Sequence, residues 1–133
     1  LLNKIEWFTF LNLKNLANLH LKSNRIYFVH SNAFDSLENL EILDLSNNLI
    51  KILYSNTFKN LLYLNYLNLE KNQLIYLEND LFRNLTSLNN LILNGNYLKE
   101  ISNLTFFYLN NLKTIDFENN RLINLNNGLK LPK

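Results

Sequence analysis

Apolar and variable positions alternate along this chain in a frame that repeats every 24 residues. Leu16, Leu40, Leu64, Leu88 and Leu112 open the units, and Leu19, Leu43, Leu67, Leu91 and Ile115 follow three residues later. Leu21, Leu45, Leu69, Leu93 and Phe117 come two residues after that. From the fourth position of the unit the alternation has period two, as in a short strand with one buried face. An asparagine follows each such segment: Asn24, Asn48, Asn72, Asn96 and Asn120. An apolar pair such as Leu74 and Leu77 comes next, and then Phe34, Phe58, Phe82 and Phe106, each three residues before Leu37, Leu61, Leu85 or Leu109. That last spacing predicts a single helical or 3₁₀ turn on the return segment.

Self-similarity at a fixed period of this length predicts a solenoid, in which each unit buries its apolar face against its neighbours. Successive strands are separated by a long return, so they should pair in parallel. Five of them, stacked at about 4.8 Å, would make a sheet roughly 25 Å across. The unit boundaries fall at 16–39, 40–63, 64–87 and 88–111, with a last incomplete unit at 112–133. Residues 1–15 form a partial unit, because Leu2, Ile5, Phe10 and Leu13 stand one period before Ile26, Val29, Phe34 and Leu37. The whole chain therefore reads as one repeat array, and as a piece of a longer protein. The asparagine amide carries two donors and an acceptor, which suits it to hold the backbone at the sharp turn ending each strand. Stacked in register, the five should form a buried ladder. The phenylalanine column fills the wide outer side of the core.

Composition changes this picture little. The net charge is +2, with the basic residues scattered, which gives no footprint for nucleic acid. Lys51 and Lys99 share a unit position, but Ile75 and Ile123 interrupt the row. No apolar run is long enough to span a membrane. With no cysteine, the chain holds neither a disulfide nor a thiolate metal site. No glycine-rich phosphate loop is present, and no cofactor is expected. Asparagine is abundant, at 28 of 133 residues, but the strict leucine frame argues against an aggregating asparagine tract. The scarcity of glycine, alanine, arginine and proline beside this excess is what an AT-rich genome would encode.

The motif L-x-x-L-x-L-x-x-N-x-[IL], repeated in register, resembles that of the leucine-rich repeat proteins over essentially the whole length. The 24-residue period with Phe and Leu near its end is similar to their "typical" subclass. The resemblance implies an α/β solenoid: a right-handed horseshoe with a parallel sheet on the concave face and short helical or 3₁₀ turns and loops on the convex one. It also implies a non-catalytic protein-binding module, as in Toll-like receptor ectodomains and extracellular matrix and adhesion proteins. The partner would be a protein ligand or co-receptor, and the setting extracellular or at the cell surface. A cytoplasmic scaffold or regulatory array beside an enzyme domain is the alternative. Three departures stand out: cysteine-containing caps are missing, Lys130 occupies an outer phenylalanine position, and Pro132 is the only proline. Flanking repeats or caps are expected beyond both ends.

Members of this family usually bind through the variable positions between the leucines. Here one row is Asn18, Ile42, Tyr66, Asn90 and Thr114, and the next is His20, Asp44, Asn68, Ile92 and Asp116. Lys22, Ser46, Glu70, Asn94 and Glu118 form a third. Ile42, Tyr66 and Ile92 are apolar at positions that should face solvent, which marks a protein-contact patch rimmed by polar residues. His20 and Asp44 should be cross-strand neighbours with Ser46 nearby, a set with the composition of a nucleophile, base and orienter. An open sheet, however, offers nothing to exclude water or hold an oxyanion. His20 and His30 fall on opposite faces and cannot share a metal. Two glycosylation sequons, Asn84-Leu85-Thr86 and Asn103-Leu104-Thr105, lie on the outer return, about as many as this composition gives by chance. Gly95, just before Asn96, reads as strand-end geometry, and Asn127-Gly128 as a turn dipeptide.

Overall fold

A computed structural model describes residues 1–123 of the chain. Lys130, Pro132 and Asn127-Gly128 lie outside them. Seven short strands occur among the described residues: β1 (Lys4–Ile5), β2 (Asn18–His20), β3 (Phe28–Val29), β4 (Ile42–Asp44), β5 (Tyr66–Asn68), β6 (Asn90–Ile92) and β7 (Thr114–Asp116). Five of them form one parallel sheet in the order β2-β4-β5-β6-β7. Its register follows the sequence period: Leu19 pairs with Leu43, Leu43 with Leu67, Leu67 with Leu91 and Leu91 with Ile115. A smaller sheet joins β1 to β3, with Ile5 opposite Val29, so the front segment stacks as one more turn of the same solenoid.

The central residue of each strand of the five-stranded sheet turns inward, and Leu43, Leu67 and Leu91 are wholly buried. Leu16, Leu19 and Leu21 at one end, and Ile115 and Phe117 at the other, are only partly buried. Among the described residues these rungs have a neighbour on one side alone, which is how a stacked core grades out at its ends. On the far side Phe10, Phe34, Phe58, Phe82 and Phe106 stack with ring centroids 5.9, 6.0, 6.3 and 6.2 Å apart. The rings are close to parallel, between 8° and 18°, at separations typical of offset stacking.

The asparagines join the units. Asn72 accepts from the Ile50 N–H at 3.1 Å and donates to Leu45 O at 3.0 Å and Leu69 O at 3.2 Å. Asn48 accepts from Ile26 N and donates to Leu21 O and Leu45 O. Asn96 accepts from Leu74 N and donates to Leu69 O and Leu93 O. Asn120 accepts from Leu98 N and Asn24 from Leu2 N. Each side chain thus satisfies an N–H one unit back while tying off carbonyls at its own turn. Asn48, Asn72 and Asn96 are 4%, 4% and 2% exposed, and the two outer members are partly exposed.

The residue before each of these asparagines has positive φ: Ser23 (58°), Asn47 (55°), Lys71 (50°), Gly95 (68°) and Asn119 (52°). The turn therefore requires the left-handed region in every unit, and only Gly95 enters it without steric cost.

One expectation is overturned. The convex return contains no helical or 3₁₀ element among the described residues; it is a chain of separate turns. In one unit the bonds run from Ala33 N to His30 O, Asp35 N to Asn32 O, Leu37 N to Phe34 O and Leu40 N to Leu37 O. A 3₁₀ helix needs consecutive bonds of this kind, and here each is followed by a gap. The Phe–Leu spacing reflects one isolated turn that aims both side chains inward.

Candidate protein-binding face

The register sets the outward side chains of the main sheet in two rows. Ile42 and Tyr66 face each other across β4 and β5, and Ile92 stands on β6 one pleat on, opposite Asn68. Tyr66 and Ile92 are therefore diagonal neighbours, within reach for a large side chain. All three are half-buried rather than fully exposed, because each lies against its neighbours on the sheet.

In the second row, Asp44 Oδ1 accepts from Ser46 N at 2.9 Å, Asn68 Oδ1 from Glu70 N at 2.9 Å and Asp116 Oδ1 from Glu118 N at 3.0 Å. These are local side-chain-to-backbone turns that end the strands. Asn68 is itself buried, and its amide donates to the Tyr66 hydroxyl at 3.3 Å, fixing the ring. One oxygen of each carboxylate is thus committed to the backbone. Glu70, beside the sheet, pairs with Lys71 at 3.0 Å. With Glu70 neutralised by Lys71, the three rows carry Asp44, Asp116 and Glu118 against Lys22, and so are acidic around the apolar centre.

His20 and Asp44 are register partners, but among the described residues no ion pair or hydrogen bond joins them. Ser46 is fully buried, with its Oγ unpartnered. The three groups are near one another without the relay of hydrogen bonds that activates a nucleophile. His30 lies elsewhere, its Nδ1 accepting from Asn32 N at 3.1 Å.

A second set of asparagine bonds runs along the outer return. Asn39 donates to Lys14 O, Asn60 to Asp35 O, Asn84 to Lys59 O and Asn111 to Thr86 O, at 2.7 to 3.2 Å. These residues occupy two different positions in the unit, so they give no single period to read from the sequence. They divide the sequons: both asparagines are exposed, but the Asn84 amide is tied to the neighbouring turn, whereas among the described residues the Asn103 side chain makes no such bond.

A stack of short parallel strands with an asparagine ladder behind it defines a repeat-built binding scaffold. The chain belongs to the leucine-rich repeat family: six copies of the BspA-type leucine-rich repeat region match residues 2–128. Comparison with curated proteins finds no match. Among solved structures, the chain is similar to one in the Drosophila Toll–Spatzle complex, at 28% identity and TM-score 0.87, over 90% of this chain and 16% of that one. It is similar to a chain of the LRIM1/APL1C complex, at 26% identity and TM-score 0.88, over 92% and 23%. It also resembles a leucine-rich repeat protein of Leptospira interrogans, at 32% identity and TM-score 0.74, over 83% and 27%. The chain thus spans well under a third of each of these. Such arrays are typical protein-binding modules, found in receptors such as Toll.

Proposed function

We propose that this array is a non-catalytic ligand-recognition module of an extracellular receptor or adhesion protein, and that it binds a protein ligand or co-receptor through the concave sheet. The observation that carries this reading is the meeting of Ile42 with its register partner Tyr66, and of Tyr66 with the diagonal Ile92, on a face otherwise polar and acidic. Apolar anchors rimmed by charge supply binding energy at the centre and orientation at the edge. Asp44, Asp116 and Glu70 would meet a basic rim on the partner, with His20 and Asn68 at the margin. The complexes in which similar arrays occur, Toll with Spatzle and LRIM1 with APL1C, support a protein partner.

A photo-crosslinking amino acid placed at Tyr66, and separately at the exposed convex Phe107, tests the assignment. A protein captured at position 66 and not at 107 is the expected result. Equal capture at both positions would remove the concave face from the reading.

A further inference from the structure

The segment following each ladder asparagine forms a flank of the solenoid distinct from the concave sheet. Its backbone is held by a bond from every unit to the one before: Leu49 N to Ile26 O, Gln73 N to Ile50 O, Tyr97 N to Leu74 O and Arg121 N to Leu98 O, at 2.8 to 2.9 Å. Ile26, Ile50, Leu74 and Leu98 point into the core, and Leu122 packs partly buried against it. The residues on either side of them point out, and they make five rungs: Arg25 with Tyr27, Leu49 with Lys51, Gln73 with Ile75, Tyr97 with Lys99, and Arg121 with Ile123.

Four of these five rungs join one cation to one apolar side chain, and none carries an anion. Tyr27 is 50% exposed, Ile75 45% and Ile123 76%. Arg25, Lys51 and Lys99 have no ion-pair partner among the described residues. The Arg121 guanidinium lies 4.1 Å over the Tyr97 ring, which holds it in place and leaves its charge available. Beside the strip, a cleft of about 160 Å³ opens among Tyr27, Lys51, Ile52 and Tyr54. Two units further on, one of about 430 Å³ opens among Tyr76, Leu77, Glu100 and Asn103.

We propose that this flank is a second docking surface, which takes an extended acidic peptide that also carries apolar side chains. The charge and the exposed apolar side chains together select that partner. A nucleic acid, a sulfated polysaccharide or an anionic bilayer presents charge at every step, and would be met best by an unbroken basic row. Here Tyr27, Leu49, Tyr97 and Ile123 stand exposed beside the four cations, so a uniform polyanion would pair with the cations and leave these apolar side chains without a partner. A peptide that carries both carboxylates and apolar side chains offers partners to both kinds of group. Five rungs at about 4.8 Å span roughly 19 Å, the length of about six residues of extended chain. The concave sheet, acidic in its own right, would repel the same peptide, so the two faces accept different partners.

The test is fluorescence anisotropy with a short fluorescein-labelled peptide in which glutamates are interspersed with leucine and tyrosine. The expected result is salt-sensitive binding that weakens about tenfold in the double variant Lys51→Glu/Lys99→Glu, two exposed sites whose substitution leaves the core intact. The concave variant Ile42→Ala/Tyr66→Ala should bind it unchanged. The inference is overturned if the charge-reversed variant binds like the parent, or if the concave variant loses the peptide. Tighter binding of heparin, phosphatidylserine vesicles or polyglutamate than of the mixed peptide would also overturn it, since charge alone would then explain the strip.

Discussion

Replacing Asn72 by leucine removes the amide while nearly keeping its shape, so the change in stability reports hydrogen bonds rather than a cavity. Four bonds are lost, but they are not equivalent: Glu70 O, the most distant at 3.4 Å, keeps the Asn47 N–H. Leu45 O keeps a second donor in Asn48, and Leu69 O keeps one in Asn96. Ile50 N has no such substitute, because its partner is Asn72 Oδ1 in a wholly buried site. One orphaned N–H costs about 1–3 kcal/mol, and the three weakened carbonyl contacts add roughly 1 kcal/mol together. The expected loss is about 2–4 kcal/mol, or roughly 8–16 °C in melting temperature. Asn24→Leu at the partly exposed end should cost at most about 1 kcal/mol, since water can reach the freed group there. Urea unfolding of the two variants, read with hydrogen exchange at the Ile50 amide, measures the difference. A loss below about 0.5 kcal/mol for Asn72→Leu, or equal losses for the two, would refute the argument.

Three further outcomes follow from the same geometry. Lys71→Gly should stabilise by about 0.5–1 kcal/mol and Gly95→Ala should destabilise by about 1 kcal/mol, because both positions need positive φ; thermal unfolding gives the sign. At Gly95 the added methyl would also meet Lys71 Cγ at 3.1 Å. Phe58→Ala, in the middle of the ring stack, should cost about 3–5 kcal/mol and Phe58→Leu roughly half that, measured by denaturant unfolding. When the chain is secreted from eukaryotic cells, Asn103→Gln should remove the greater share of N-glycan, as read by glycosidase digestion and mass spectrometry. If Asn84→Gln removes more, the reading of the Asn84–Lys59 contact as a restraint is wrong.

The frame of leucines, asparagines and phenylalanines was legible in the sequence because every unit places them in the same surroundings, so one period carries the whole stack. The convex turns were misread for a local reason. A Phe34-to-Leu37 spacing fits one turn of 3₁₀ helix and one isolated turn equally well, and only the hydrogen-bond order separates them. On the concave sheet the rows followed from the period. The split between available and committed side chains did not, although an Asp or Asn two residues before a strand-ending turn, as at Asp44 and Asp116, is a readable sign of a backbone acceptor. The outer asparagines escaped because Asn60 and Asn84 serve at one position and Asn39 and Asn111 at another. Lys51 and Lys99 looked like a broken basic row until the flank placed Leu49 and Tyr97 beside them.

The ladder also bears on how such a gene can change. The asparagine bonds between units reach 22 or 27 residues back, and each ends on an atom that has a counterpart in every unit. Excising residues 64–87 would bring Asn96 against Ile50 N and Leu45 O, groups that hold the ladder now, and the shortened chain would close over its cut. A loss of 23 residues would turn the next strand's leucines to solvent. Recombination between repeats is therefore forgiving in whole units and lethal in fractions. What whole-unit exchange alters is the order of surface residues, with Tyr66 gone and Ile42 now beside Asn90, so the lineage can sample new recognition surfaces without reinventing the scaffold beneath them.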